Sequence, residues 1–225
     1  MIARAQLTES NIGYKAEVIR KSIHLCSLSI PIIYYFISRT QALLLLVPVT
    51  LLFLGVDLLR HHHAPTAKIF YRTFGSLLRK HEHDEKTKRL SGATHVLISA
   101  SICVLIFPKL ITITAFAILI ISDSAAALVG RRFGKRKFLS KSVEGSAAFF
   151  LSALIVIAAT PKISTGVGEY LIAAVAAAVG TVIEALPVKI DDNLSIPISI
   201  GLFMWILYEI FYPSLNLQLQ SFVGL

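Results

Sequence analysis

Residues 110–146 read LITITAFAILIISDSAAALVGRRFGKRKFLSKSVEGS. The apolar run 110–130 matches the ~20 residues that an α-helix needs to cross a hydrocarbon core at ~1.5 Å per residue. It carries one acid, Asp123, and runs directly into a loop with six basic residues between Arg131 and Lys141. Arg and Lys gather in loops on the cytoplasmic side of membrane proteins. The stretch therefore predicts a transmembrane helix that ends at that face.

The rest of the chain repeats the pattern. Of its 225 residues, 55% are hydrophobic and 16% charged, whereas a soluble domain carries about a quarter charged residues. Apolar segments lie near 22–38, 42–59, 92–107, 110–130, 145–160, 169–187 and 194–212. The expected fold is an all-α, polytopic membrane helical bundle of about seven transmembrane helices. The short loops imply a single integral-membrane domain over 1–225. Residues 1–21 are polar and lack the pattern of a signal peptide, so the first span is expected to be kept. Cys26 and Cys103 fall inside spans and read as free thiols packed in the core.

Loop charges set the orientation. With loops assigned alternately to the two sides, one side receives nineteen Lys and Arg residues. The other receives only Arg39, Lys109 and Lys162. This split predicts the N-terminus inside and the C-terminus outside, and it accounts for the net charge of +9 without a nucleic-acid partner. Asp57, Asp123, Glu144, Glu184, Asp191 and Asp192 all fall at or near the cytoplasmic ends of spans. Glu169 and Glu209 fall near the outer face. Asp57 is placed to cap a helix or pair with Arg60. Asp123 is different: it sits roughly 10 Å below Gly130 along the helix. An acid at that depth is costly and suggests function.

The largest loop, 60–91, contains an amphipathic segment from Ala67 to Leu78. Ile69, Phe70, Phe74, Leu77 and Leu78 recur there at helical spacing among basic residues, as in a helix lying in the membrane interface. His61, His62, His63, His81 and His83 flank it at opposite ends. Without a Cys or a matched carboxylate set they read as solvated loop residues, not a metal site.

The chemistry concentrates around Asp123. Asp123, Ala126, Ala127, Gly130 and Gly134 recur at three- and four-residue steps, a small-residue row that lets a backbone or a ligand approach. Arg131, Lys135 and Lys137 supply partners for phosphate oxygens. The spacing is not that of a P-loop, which needs four residues between its glycines and Ser or Thr after the Lys. Next come Lys141, Ser142, Glu144 and Gly145 at the start of a helix, a position that favours anions. Asp191, Asp192 and Asn193 then place three consecutive oxygen donors on a short turn. These suit Mg2+ when a nucleotide provides further oxygens. Acids for Mg2+ and bases for phosphates on one face read as a nucleoside triphosphate site.

Four stretches carry a family resemblance: Val18 to Leu25 (VIRKSIHL), Arg89 to Ala93 (RLSGA), Asp123 to Gly134 with Lys141 to Gly145, and Ile190 to Pro197 (IDDNLSIP). Together they resemble the CTP-dependent polyprenol, phytol and diacylglycerol kinases, the family of dolichol kinase. The central motif is also similar to CDP-diacylglycerol synthase, but that enzyme's C-terminal Lys-Arg, Lys-Asp and His-Gly-Gly signature is missing.

The resemblance implies CTP as donor, Mg2+ as cofactor and a membrane lipid alcohol as acceptor, at the cytoplasmic face. Gly130, Arg131, Gly134, Lys135, Lys137, Lys141, Ser142, Gly145 and Asn193 would bind the nucleotide. Asp191 and Asp192 would hold the metal, with Glu144 beside it. Asp123 would act as general base or metal ligand, and Lys21 and His24 would reach a phosphate. Phosphatidate cytidylyltransferase is the nearest alternative. An ion-coupled transporter is less consistent, since transporter acids lie near the bilayer midplane.

Overall fold

A computed structural model describes residues 14–15, 17–74, 90–164, 166–187 and 190–217. Residues 17–26 form α1, followed by α2 (Ser29–Phe36), α3 (Arg39–Leu59), α4 (Ala64–Phe74), α5 (Gly92–Ile106) and α6 (Lys109–Phe133). A short hairpin of β1 (Lys137–Phe138) and β2 (Lys141–Ser142) leads into α7 (Val143–Ala159), α8 (Val167–Ala185) and α9 (Asp192–Phe211).

The fold is helical, and every one of the seven predicted apolar segments carries helix. Four of them, α3, α6, α8 and α9, are long and apolar enough to cross a membrane, whereas α5 and α7 are shorter. The first segment is broken. Pro31 has no N–H to give to Ser27, so the helix pauses at Ser27 and Leu28 and restarts as α2.

The core runs along α6. It packs against α7, α9 and α2, and every residue from Lys109 to Ile120 is buried. Its bulk comes from Phe116, Ile118, Leu119 and Ile120, against Phe149 of α7 and Ile196, Ile200 and Met204 of α9. The periphery is the reverse. On α3, Leu44, Leu45, Leu51 and Leu52 are each at least 60% exposed. Water would penalise that surface by roughly 25 cal/mol per Å2, whereas lipid tails solvate it. Cys103 is buried as expected, but Cys26 is exposed. It lies on the outward side of α1 and is not packed in the core.

Helix starts are set by local side chains. Ser38 and Gln41 form a reciprocal capping box at α3, and Ser91, Ser142 and Asp191 cap α5, α7 and α9. Each such cap contributes about 0.5–2 kcal/mol.

Asp57 is a structural latch. Its Oδ1 stands 2.9 Å from Arg60 Nε, and its Oδ2 accepts the Ser91 N–H at 2.8 Å, the Ser91 hydroxyl at 2.9 Å and the Thr94 hydroxyl. Those bonds tie the end of α3 to the start of α5. The Arg60 guanidinium lies 4.4 Å over the Phe70 ring and brings α4 into the same junction. The predicted amphipathic helix is thus present but begins earlier, at Ala64. Leu77, Leu78, His81 and His83 lie outside the described residues.

Candidate active site

The site begins with a close approach of two helices. A Cβ on Gly145 would stand 3.1 Å from the Ala126 carbonyl oxygen and 3.2 Å from Gly130 Cα. On Gly134 it would collide with the Gly130 carbonyl oxygen and lie 2.8 Å from Ser142 Oγ. The glycines of the central motif therefore let the end of α6 and the start of α7 touch backbone to backbone, forming one wall of a cavity.

The hairpin aims Lys141 into that cavity. Leu139 turns the chain with a positive φ of 52°, a conformation of the kind tight hairpins require. The next residue anchors the turn: the Ser140 N–H and hydroxyl both donate to the Ala185 carbonyl at the end of α8, at 2.9 and 2.8 Å. This tie brings Lys141 beside Glu184, one residue before that carbonyl.

The cavity, about 670 Å3, lies among α1, α6, α7, α8, α9 and the hairpin. Among the described residues its lining holds four cationic and four acidic side chains, arranged in three groups. Arg20 and Arg131 share Glu17, the latter at 3.0 Å. Lys21 pairs with Asp123, and His24 Nε2 lies 3.8 Å from the same carboxylate oxygen. Lys141 Nζ sits between Glu184 Oε1 at 3.0 Å and Asp192 Oδ2 at 3.2 Å.

Lys21, Asp123 and Glu184 are all at least 95% buried, and each stands against a side chain of opposite sign. Burial by itself pulls the Lys141 pKa down, but the Asp192 and Glu184 carboxylates outweigh it and push it above the usual value. Lys141 thus remains a cation. The other oxygen of Glu184, Oε2, is buried with no hydrogen-bond partner among the described residues.

The structure thus gathers Lys21, Asp123, Gly130, Arg131, Lys141, Ser142, Gly145 and Asp192 around one space. Other predicted residues point elsewhere. Glu144 accepts the Lys135 and Arg136 N–H groups at 3.1 and 3.4 Å and clamps the loop. Its own backbone N–H and that of Lys135 hold its carboxyl below the usual range. Asp191 Oδ1 accepts from the Asn193 backbone N–H at 3.0 Å and side-chain amide at 2.7 Å, closing the cap of α9. Lys135 and Lys137 are exposed on the hairpin side.

Glu17, Arg20 and Glu184 are additions. Glu17, Lys21 and His24 recur at one-turn and two-turn steps, so α1 presents them on one face. Glu184 carried a different signal: a carboxylate in the last turn of a helix opposes the helix dipole.

Among the described residues, no group of three or more His, Cys, Asp or Glu side chains could hold a metal ion. The Glu184–Asp192 pair still fits Mg2+, which takes one or two carboxylates and completes its shell with phosphate oxygens and water.

The chain is 34% identical over 183 residues to an uncharacterised protein of Rickettsia prowazekii (strain Madrid E), covering 80% of this chain and 89% of that protein. It is 30% identical over 142 residues to a probable chloroplastic phytol kinase of Triticum aestivum. That match covers 55% of this chain and 46% of the kinase, a partial similarity to a kinase-like protein. No family model and no solved structure matches the chain.

Proposed function

We propose, from the premise that this chain belongs to the same family as the uncharacterised Rickettsia prowazekii protein, that it phosphorylates a membrane lipid alcohol with CTP. The acceptor class is a polyprenol, phytol or diacylglycerol. The observation that carries the reading is the cavity in which Asp123, Lys21, Arg131, Lys141 and Asp192 meet at one end of an apolar helical bundle. The partial similarity to a probable phytol kinase supports the same chemistry. The family resemblance supports CTP over other nucleotides. The loop-charge split supports seven crossings by one domain, with the cavity on the cytoplasmic side.

In this reading the chain's own residues position and neutralise charge, the main requirement of phosphoryl transfer. Arg131, Lys141 and Arg20 bind triphosphate oxygens, and Ser142 and Gly145 present the start of α7 beside them. Lys135 and Lys137 lie outside the lining and raise the local anion concentration. A bound Mg2+ would neutralise charge on the phosphates, held by Asp192 as the member of the Asp191–Asp192 pair that faces the cavity. Asp191 and Asn193 hold the start of α9 in place. Asp123 takes the proton of the lipid hydroxyl, oriented by Lys21 with His24 beside it. The hydroxyl oxygen bonds to the γ-phosphorus, the bond to the β,γ-bridging oxygen breaks, and CDP leaves with that electron pair.

The test supplies the purified protein with Mg2+, CTP labelled at the γ-phosphate, and lipid alcohols or phosphatidic acid. Label should appear on the lipid alcohol. Label released as pyrophosphate in a phosphatidic-acid-dependent reaction would overturn the reading in favour of a cytidylyltransferase.

A further inference from the structure

The pairing of Glu184 contains an imbalance. The residue is 3% exposed, its Oε1 holds Lys141 at 3.0 Å, and its Oε2 is buried with no hydrogen-bond partner among the described residues. A buried carboxylate oxygen left without a donor is costly. Asp192 leans on the same ammonium from the start of α9, at 3.2 Å, and both acids line the cavity. Two anions from two different helices thus converge on one cation. That cation belongs to a side chain still 37% exposed, on a flexible four-carbon stem.

We propose that Glu184 and Asp192 form the divalent-cation site of this cavity, and that Lys141 is the internal cation that fills it until a metal–nucleotide complex arrives. Lys141 then moves its Nζ from the two carboxylates to a phosphate oxygen, and both Glu184 oxygens become available as ligands. Lys141, with Arg20 and Arg131, holds phosphates, and the freed Glu184 and Asp192 carboxylates hold the metal. A bare nucleotide would bring negative charge against Asp192 and Glu184, and a bare metal ion would meet Lys141 in its place. The proposal gives Glu184 the ligand role that sequence spacing assigned to Asp191. It rests on the reading of this cavity as a nucleotide site.

The experiment uses Mn2+ as the probe, counted by electron paramagnetic resonance on the full chain in nanodiscs, without nucleotide or lipid alcohol. Lys141→Met should bind Mn2+ at least about tenfold more tightly than wild type, because the internal competitor is gone. Adding Glu184→Gln to Lys141→Met should remove that gain. His62→Ala should leave the affinity unchanged, which separates this site from the loop histidines.

Equal Mn2+ affinity in wild type and Lys141→Met would overturn the proposal, as would a gain that survives Glu184→Gln. Should Glu184→Gln fail to fold, the first comparison still decides. Because no phosphoryl transfer is measured, failure here leaves the kinase reading standing, and an inactive kinase assay leaves this result intact.

Discussion

Two glutamates at opposite ends of α8 are both buried, and their surroundings differ. Glu169 accepts the Ile163 N–H at 3.1 Å, the Ser164 N–H and hydroxyl at 2.7 and 2.5 Å, and the Tyr208 hydroxyl at 3.1 Å. Its donors are neutral, come from a loop and a neighbouring helix, and satisfy both oxygens. Glu184 has Lys141 on one oxygen and, among the described residues, no hydrogen bond on the other. The first arrangement closes a loop permanently. The second holds a charge in reserve, since a single mobile cation can be exchanged for another. A buried acid in this bundle is therefore interpreted by who donates to it, and burial alone does not separate structure from chemistry.

That contrast predicts opposite consequences for substitutions at the two ends. The largest effect belongs to the cavity. Asp123→Asn should reduce label transfer from CTP by about a thousandfold or more, since a general base alone contributes roughly 10^2–10^4-fold. The variant should still fold in detergent but with a lowered Tm, because Lys21 loses its buried partner, so transfer is compared per folded molecule. Near-normal transfer by Asp123→Asn would make Asp123 a structural acid like Glu169, and the comparison would collapse.

At the other end, Glu169→Gln replaces an acceptor oxygen with an amide donor and leaves at least one N–H or hydroxyl unpaired. A loss of about 1–3 kcal/mol should lower the apparent Tm by roughly 2–10 °C, with transfer per folded molecule unchanged. A fall in turnover without a fall in Tm would show that this end also takes part in the chemistry.

The two ends also differ in what sequence spacing could reveal. The helical segments and the small-residue approach of α6 to α7 follow from patterns within about thirty residues. The core of the cavity, Asp123 with Lys141, Ser142 and Gly145, was legible for the same reason. The split between Asp191 and Asp192 was not legible, because two adjacent acids separate into a cap and a cavity ligand only once the start of α9 is placed. The clamp by Glu144 depends on where the hairpin folds back, and the hairpin is tied to a carbonyl on α8 through Ser140. Glu17 and Arg20 became visible when α1 packed beside α6. Long-range partners decided each of these cases.

The account's central claim is that the cavity's paired charges exchange as a set. It is tested most directly by thermal shift of the wild-type protein with Mg2+ alone, CTP alone, and both together. The account predicts small shifts for each alone and a combined shift that clearly exceeds their sum, because the metal and the triphosphate each free the partner the other needs. An undiminished shift with CTP in the presence of a chelator would contradict it, as would no shift with the two together.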